Sequence, residues 1–99
     1  MISYSLRARV AKAGPAPAEW SRKIAAVVGA KTGVTPSVLV RIGGGQEILF
    51  VSQYENFAAF EKAQAQLVGD ADYIALLDTM QSQGLFEAAS VDTAFWLPG

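Results

Sequence analysis

From Ile2 to Val10 every second residue is apolar. Ile2, Tyr4, Leu6, Ala8 and Val10 alternate with Ser3, Ser5, Arg7 and Arg9. Side chains on an extended chain point to opposite faces in turn, so this segment reads as a β-strand over residues 2–11 with one covered face. Ala13-Gly14-Pro15-Ala16-Pro17 ends it. The period then changes. Trp20, Ile24, Val27 and Val28 fall at i, i+4, i+7 and i+8 and form one stripe of a helix from about Ala18 to Val28. Pro17 suits its first turn, and Gly29 or Gly33 can end it.

Period two returns at Ser37–Ile42 and again at Glu47–Tyr54, with Gly43-Gly44-Gly45 between them as a hairpin turn. Val38-Leu39-Val40 and Ile48-Leu49-Phe50-Val51 are apolar on both faces, which calls for cover on both. Asn56 is a good helix cap, and Phe57, Phe60, Ala63 and Leu67 mark an inner stripe behind it. Gly69 interrupts. Asp70 caps a further helix carrying Tyr73, Leu76, Leu77 and Met80, and Gly84 stops it. Val91–Leu97 is a last strand before Pro98.

The order is therefore β-α-β-β-α(α)-β, with no linker or repeat, in a single domain over residues 1–99. The expected fold is α+β and ferredoxin-like, a four-stranded antiparallel sheet with helices on one face. The even residues of the first strand meet the helices. The opposite face is left with apolar residues from the other strands, and a second copy of the chain is the natural cover. The composition agrees: 52% of residues are hydrophobic and 17% charged, which is apolar for a chain of 99 residues.

There is no cysteine and no histidine. That removes disulfides, thiolate metal sites, thiol nucleophiles, the imidazole base and histidine-ligated haem. Neither a metal nor a cofactor is expected. Net charge is −1, so no general affinity for nucleic acid or acidic membranes is implied. The charge is unevenly spread. Residues 1–45 hold seven basic side chains and only Glu19, whereas residues 46–99 hold eight acidic ones and only Lys62. The halves either neutralise each other or leave a basic patch for an anionic ligand. The N-terminus does not read as a signal peptide and no segment reads as a membrane span, so a cytoplasmic location is expected.

The segment Ser52-Gln53-Tyr54-Glu55-Asn56-Phe57-Ala58-Ala59-Phe60-Glu61, leading to Gly69-Asp70-Ala71-Asp72-Tyr73, resembles the dimeric α/β-barrel proteins. Within them the chain is similar to the NIPSNAP-like and antibiotic-biosynthesis-monooxygenase-like groups. The resemblance spans nearly the whole chain. It implies a homodimer, and it brings a range of expected activities: cofactor-free oxygenation of polycyclic phenols, haem degradation, reactions of small ring compounds, or simple binding. The haem-degrading and histidine-base branches need a histidine that this chain lacks. Cofactor-free oxygenases of the group use asparagine, tryptophan, tyrosine and arginine around a deprotonated phenol. Those residue types occur here without a position-by-position match.

Several residues suit a small apolar or aromatic ligand. Arg7, Arg9 and Arg41 have the parity to line one face and hold an anion with a fixed fork of donors; cross-strand pairing with Glu47 or Asp92 is the simpler role. Trp20, Trp96 and Tyr54 offer apolar surface with one polar edge each, or serve as packing. Asn56 adjoins Tyr54 at a strand-to-helix junction, where capping already explains it. Asp70 and Asp72 offer a weak oxygen pair for a metal, but acidic residues at a helix start answer to the helix dipole. Arg7, Arg41, Tyr54, Asn56, Trp20 and Trp96 are the expected ligand contacts, and no catalytic residue is assigned. The glycine run lacks the ending of a phosphate loop. Two other families of this order are set aside. The third strand lacks the aromatic positions of RNA-recognition domains, and the turn after the first strand lacks the arginine of acylphosphatases. A non-enzymatic module whose main role is dimerisation, or a regulatory domain binding an amino acid at its dimer interface, is the competing expectation.

Overall fold

The computed structural model describes residues 1–99. Its elements run β1 (Ile2–Arg9), α1 (Ala16–Thr32), β2 (Ser37–Val40), β3 (Glu47–Tyr54), α2 (Phe57–Leu67), α3 (Ala71–Gln83), a short 3₁₀ turn at Ala88–Ser90, and β4 (Asp92–Trp96). The strands form one antiparallel sheet in the order β2-β3-β1-β4. This is the ferredoxin-like α+β arrangement that the alternation of periods predicts.

Local chemistry sets the element boundaries. The Asn56 side chain accepts a hydrogen bond from the Ala59 N–H at 2.9 Å, and Asp70 accepts one from the Tyr73 N–H at 3.0 Å. Both satisfy donors that a helix start leaves unpaired. Gly33 closes α1 at φ 79°, and Gly43 and Gly44 turn the β2–β3 hairpin at φ 84° and 70°. Of the two glycines expected to end α1, Gly33 does so and Gly29 does not, so the helix runs about one turn past Val28. Gly29 is there for a close approach: a Cβ would overlap the Thr35 hydroxyl. The flanking strands are shorter than expected. Arg41 and Ile42 drop out of β2, and Val91 and Leu97 out of β4.

Register fixes which side chains share a face. Tyr4 pairs with Ser52, Leu6 with Phe50 and Ala8 with Ile48, so the even residues of β1 and β3 look toward the helices together. Arg7 lies between Leu49 of β3 and Asp92 of β4, on the helix-free face. That face is mixed. It holds Leu39, Leu49, Val51 and Trp96, but Arg7, Arg41 and Glu47 interrupt them. The double-sided apolar character of β3 is thus divided, with Ile48 and Phe50 inward and Leu49 and Val51 outward.

The layers are anchored at two points. Under α2, Phe60 sits 4.8 Å from Tyr4, 5.4 Å from Tyr54 and 4.8 Å from Phe95, centroid to centroid. Under α1, Trp20 meets Phe50 and Phe86 edge-on at 6.4 and 5.5 Å, beside Ile24 and the sealed Leu85. Between the two anchors the layers do not close. Only 14 of the 99 residues are buried, and none of them belongs to α3, which packs chiefly on α1.

Candidate functional site

The gap between the anchors is a cavity of about 630 Å³ between the sheet and helices α1 and α3. Ligand pockets typically measure roughly 300–1,000 Å³. Its floor is Tyr4, Leu6 and Ala8 of β1 with Phe50, Ser52 and Tyr54 of β3. Trp20, Ile24 and Val28 of α1 form one wall, and Tyr73, Leu77 and Met80 of α3 the other. Helical spacing puts each set on one stripe. Gln81, Gly84, Ala88 and Val91 also line the cavity and are exposed, so it reaches the surface where α3 ends and the chain returns to β4.

All three tyrosines of the chain meet here. No side chain or backbone group of the protein pairs with any of their hydroxyls, and none of those hydroxyls is a buried polar atom without a partner, so each keeps access to solvent. Tyr4 and Ser52 oppose each other across β1 and β3, with Tyr54 one pair further along. Tyr73 approaches Tyr4 from α3. Burial first, then the nearness of Tyr73 and Tyr54, pushes the Tyr4 phenol above its ordinary 10.0. Burial does the same to Tyr73. Both are therefore neutral hydrogen-bond donors at physiological pH. Ser52, Gln64 and Gln81 are the remaining polar side chains of the lining with free capacity. The Trp20 indole N–H is already committed, donating to the Leu76 carbonyl at 2.7 Å.

No charged side chain lines the cavity. The charges pair elsewhere, and every ion pair joins the basic half of the sequence to the acidic half. Arg7 meets Asp92 at 3.3 Å and Glu47 at 3.7 Å; Arg41 meets Glu47 at 3.3 Å; Arg9 meets Glu87 at 3.6 Å. Lys31 reaches both Asp70 and Asp72 at 3.2 Å.

The expected ligand contacts thus separate. Tyr54 and Trp20 line the cavity. Arg7, Arg41 and Trp96 lie on the opposite face of the sheet, where the two arginines are paired and the Trp96 indole donates to Ser5 at 2.8 Å. Asn56 caps α2 outside the cavity. Tyr4, Tyr73, Ser52, Gln64 and Gln81 were not among those expected. Tyr4 and Ser52 share the face that parity assigns to the helices, and that was the available signal.

No protein-family model matches the sequence, and no curated protein does. Solved structures do match its shape. A NIPSNAP family protein from Agrobacterium tumefaciens superposes with a TM-score of 0.77 at 16% identity, covering 99% of this chain and 92% of that one. A NIPSNAP domain protein from Burkholderia xenovorans gives 0.70 at 17%, covering 100% and 95%. SnoaB, a cofactor-independent oxygenase from Streptomyces nogalater, gives 0.67 at 15%, covering 98% and 91%. The chain shares its ferredoxin-like fold with these proteins. At these identities the likeness is one of fold. No helix of the chain is long and apolar enough to cross a membrane.

Proposed function

We propose that this chain binds a small aromatic or apolar ring compound in the cavity between its sheet and helices. The observation that carries the reading is the meeting of all three tyrosines, none of whose hydroxyls is paired within the protein, in the lining of a mainly apolar space of about 630 Å³. Packed interiors rarely leave such volume. Aromatic walls supply contact area, and a few donors fix orientation. Tyr4, Tyr54, Tyr73 and Trp20 are the proposed contacts.

Binding is the better-supported half of a wider reading. A structure of the same fold is described as a cofactor-independent oxygenase. Oxidation of a phenol by oxygen begins with its deprotonation, and this lining offers no basic side chain to take the proton and no cation to hold the phenolate. The chain is read as a binding module first. Two copies are proposed to associate through the helix-free face, where Leu39, Leu49 and Val51 on one side and Trp96 of the edge strand β4 on the other flank Ser3, Ser5 and the paired Arg7 of β1.

The test fills the space. Ala25 of α1 is buried and lines the cavity. Ala25→Phe is expected to keep the melting temperature at or above that of the parent and to abolish calorimetrically detected binding of 7-methoxycoumarin, a neutral bicyclic probe. In a closed core the same change costs about 1–3 kcal/mol. A destabilised variant, or a parent chain that takes up no probe, would count against the cavity.

A further inference from the structure

We propose that the cavity selects the uncharged form of its ligand and rejects the corresponding anion. This rests on the binding reading above and names the class of compound: a neutral ring bearing a carbonyl, ether or un-ionised hydroxyl group.

The argument starts from the titratable and charged groups that face the cavity from each surrounding element. On β1 the only one is Tyr4, on β3 Tyr54 and on α3 Tyr73; α1, α2 and the segment before β4 contribute none. The chain has eight basic side chains, and not one lies in the lining. Several are engaged elsewhere. Arg7 and Arg9 point to the other face of the sheet and are paired there, and Lys31 is held between two carboxylates. An anion entering this space gives up its hydration and finds no counter-charge. Moving an unpaired charge into an apolar site is among the most unfavourable steps in protein chemistry.

A neutral acceptor fares differently. Tyr4 and Tyr54 project from adjacent strands on the same face, and Tyr73 comes from α3 above them. Their hydroxyls can each donate to a carbonyl or ether oxygen, and Ser52 and Gln64 stand beside them. These polar groups gather at one end of the strands. The exposed lining residues Gly84, Ala88 and Val91 lie toward the other, since Val91 precedes the Asp92 that pairs with Arg7. The apolar residues Leu6, Ala8, Phe50 and Met80 line the way between. A ligand is therefore read with its polar end toward the tyrosines and its hydrocarbon toward the opening. A carboxylate or phenolate at that polar end would meet donors but no cation, in a space too apolar to screen it.

Two coumarins differing in one group provide the experiment. 7-Methoxycoumarin cannot ionise there, whereas 7-hydroxycoumarin loses its phenolic proton near neutral pH. Binding of each to the full chain is measured by calorimetry from pH 5.5 to pH 9, about the range over which Tyr4 and Tyr73 stay protonated. The methoxy compound is expected to bind with constant affinity. The hydroxy compound is expected to match it at low pH, then to weaken about tenfold for each unit above its own pKa, as binding of the neutral form alone requires. Tyr4→Phe and Tyr73→Phe are each expected to weaken both compounds about three- to tenfold at pH 6, the size of one neutral hydrogen bond. Affinity for the hydroxy compound that stays level or rises as it ionises would overturn the selection while leaving the cavity standing. A chain that binds neither compound at any pH would overturn the cavity and this inference together.

Discussion

On its helix-covered side the sheet presents Tyr4, Leu6, Phe50 and Tyr54, and no charge. On its other side it presents Arg7, Arg41 and Glu47 among Leu49, Val51 and Trp96. Strands β1 and β3 contribute to both sides, with alternate residues facing opposite ways. The covered side, which the helices ought to fill, holds a cavity. The bare side holds the arginine ion pairs, and Trp96 remains 62% exposed there despite its bond to Ser5. Isolated surface ion pairs contribute little to stability, about 0–1 kcal/mol each. What the arginines achieve on the bare side is therefore arrangement more than strength. They take up Glu47, Glu87 and Asp92, so no unpaired carboxylate is left to repel a second sheet.

Neighbouring residues of β3 put a number on the contrast. Ile48 is 1% exposed on the covered side, and Leu49 is half-buried on the bare side. Ile48→Ala is expected to have the largest effect on stability, a loss of about 2–5 kcal/mol, the usual cost of emptying a sealed aliphatic site. Urea denaturation measures it. A loss below about 1 kcal/mol would mean that the sheet–helix layer is loose well beyond the cavity. Leu49→Asp should instead leave the circular dichroism spectrum of the fold intact and act on assembly. Sedimentation at micromolar concentration is expected to find the parent chain as a dimer and the variant as a monomer. A parent monomer, or a variant dimer, would show that the bare face is not where copies meet.

Sequence pattern carried the fold because periodicity is a local property. The alternation in Ile2–Val10, the glycine turn, and the caps Asn56 and Asp70 each specify their own neighbourhood, and the order of elements then leaves few topologies. It was weaker wherever the answer depended on a distant surface. Gly29 reads as a helix stop because nothing nearby reveals that Thr35 will press against it. Leu85 and Phe86 follow a helix-ending glycine and carry no period, yet Leu85 is 1% exposed, and Phe86 bridges to Val10 beyond the end of β1. The cavity is the clearest case. Tyr4 and Tyr73 lie on apolar stripes, where an aromatic residue ordinarily means packing. Whether two such stripes meet or stand apart depends on how the layers pack elsewhere, here through Phe60 at one end and Trp20 at the other. Arg7 and Arg41 were legible as sharing a face. That the face was the one away from the cavity followed from the same parity argument.

The smallest effect concerns the one ion cluster that ties the helices to each other. Lys31, in the last turn of α1, bridges Asp70 and Asp72 at the start of α3, the helix that carries Tyr73 into the cavity. The Asp70 carboxylate is held below its ordinary 3.8, chiefly by the Tyr73 N–H that it caps and then by Lys31. A carboxyl whose folded pKa is depressed adds stability above its unfolded value. That stability is lost as pH falls from about 3.8 through the lower folded value. Asp70→Asn keeps a side chain that caps a helix about equally well and removes only the charge. It is therefore expected to change stability little at pH 7. It should flatten the acid limb of the stability curve between about pH 4 and pH 2, and make the remaining stability less sensitive to salt. Urea titrations of both chains across that range decide the matter. If the acid limb is unchanged in the variant, Asp70 is acting as a neutral cap and the attachment of α3 owes nothing to its charge. Lys31–Asp72 would then be the only ionic contact left to tie the helices on the cavity side of the sheet, and the contrast between its two faces would be sharper still.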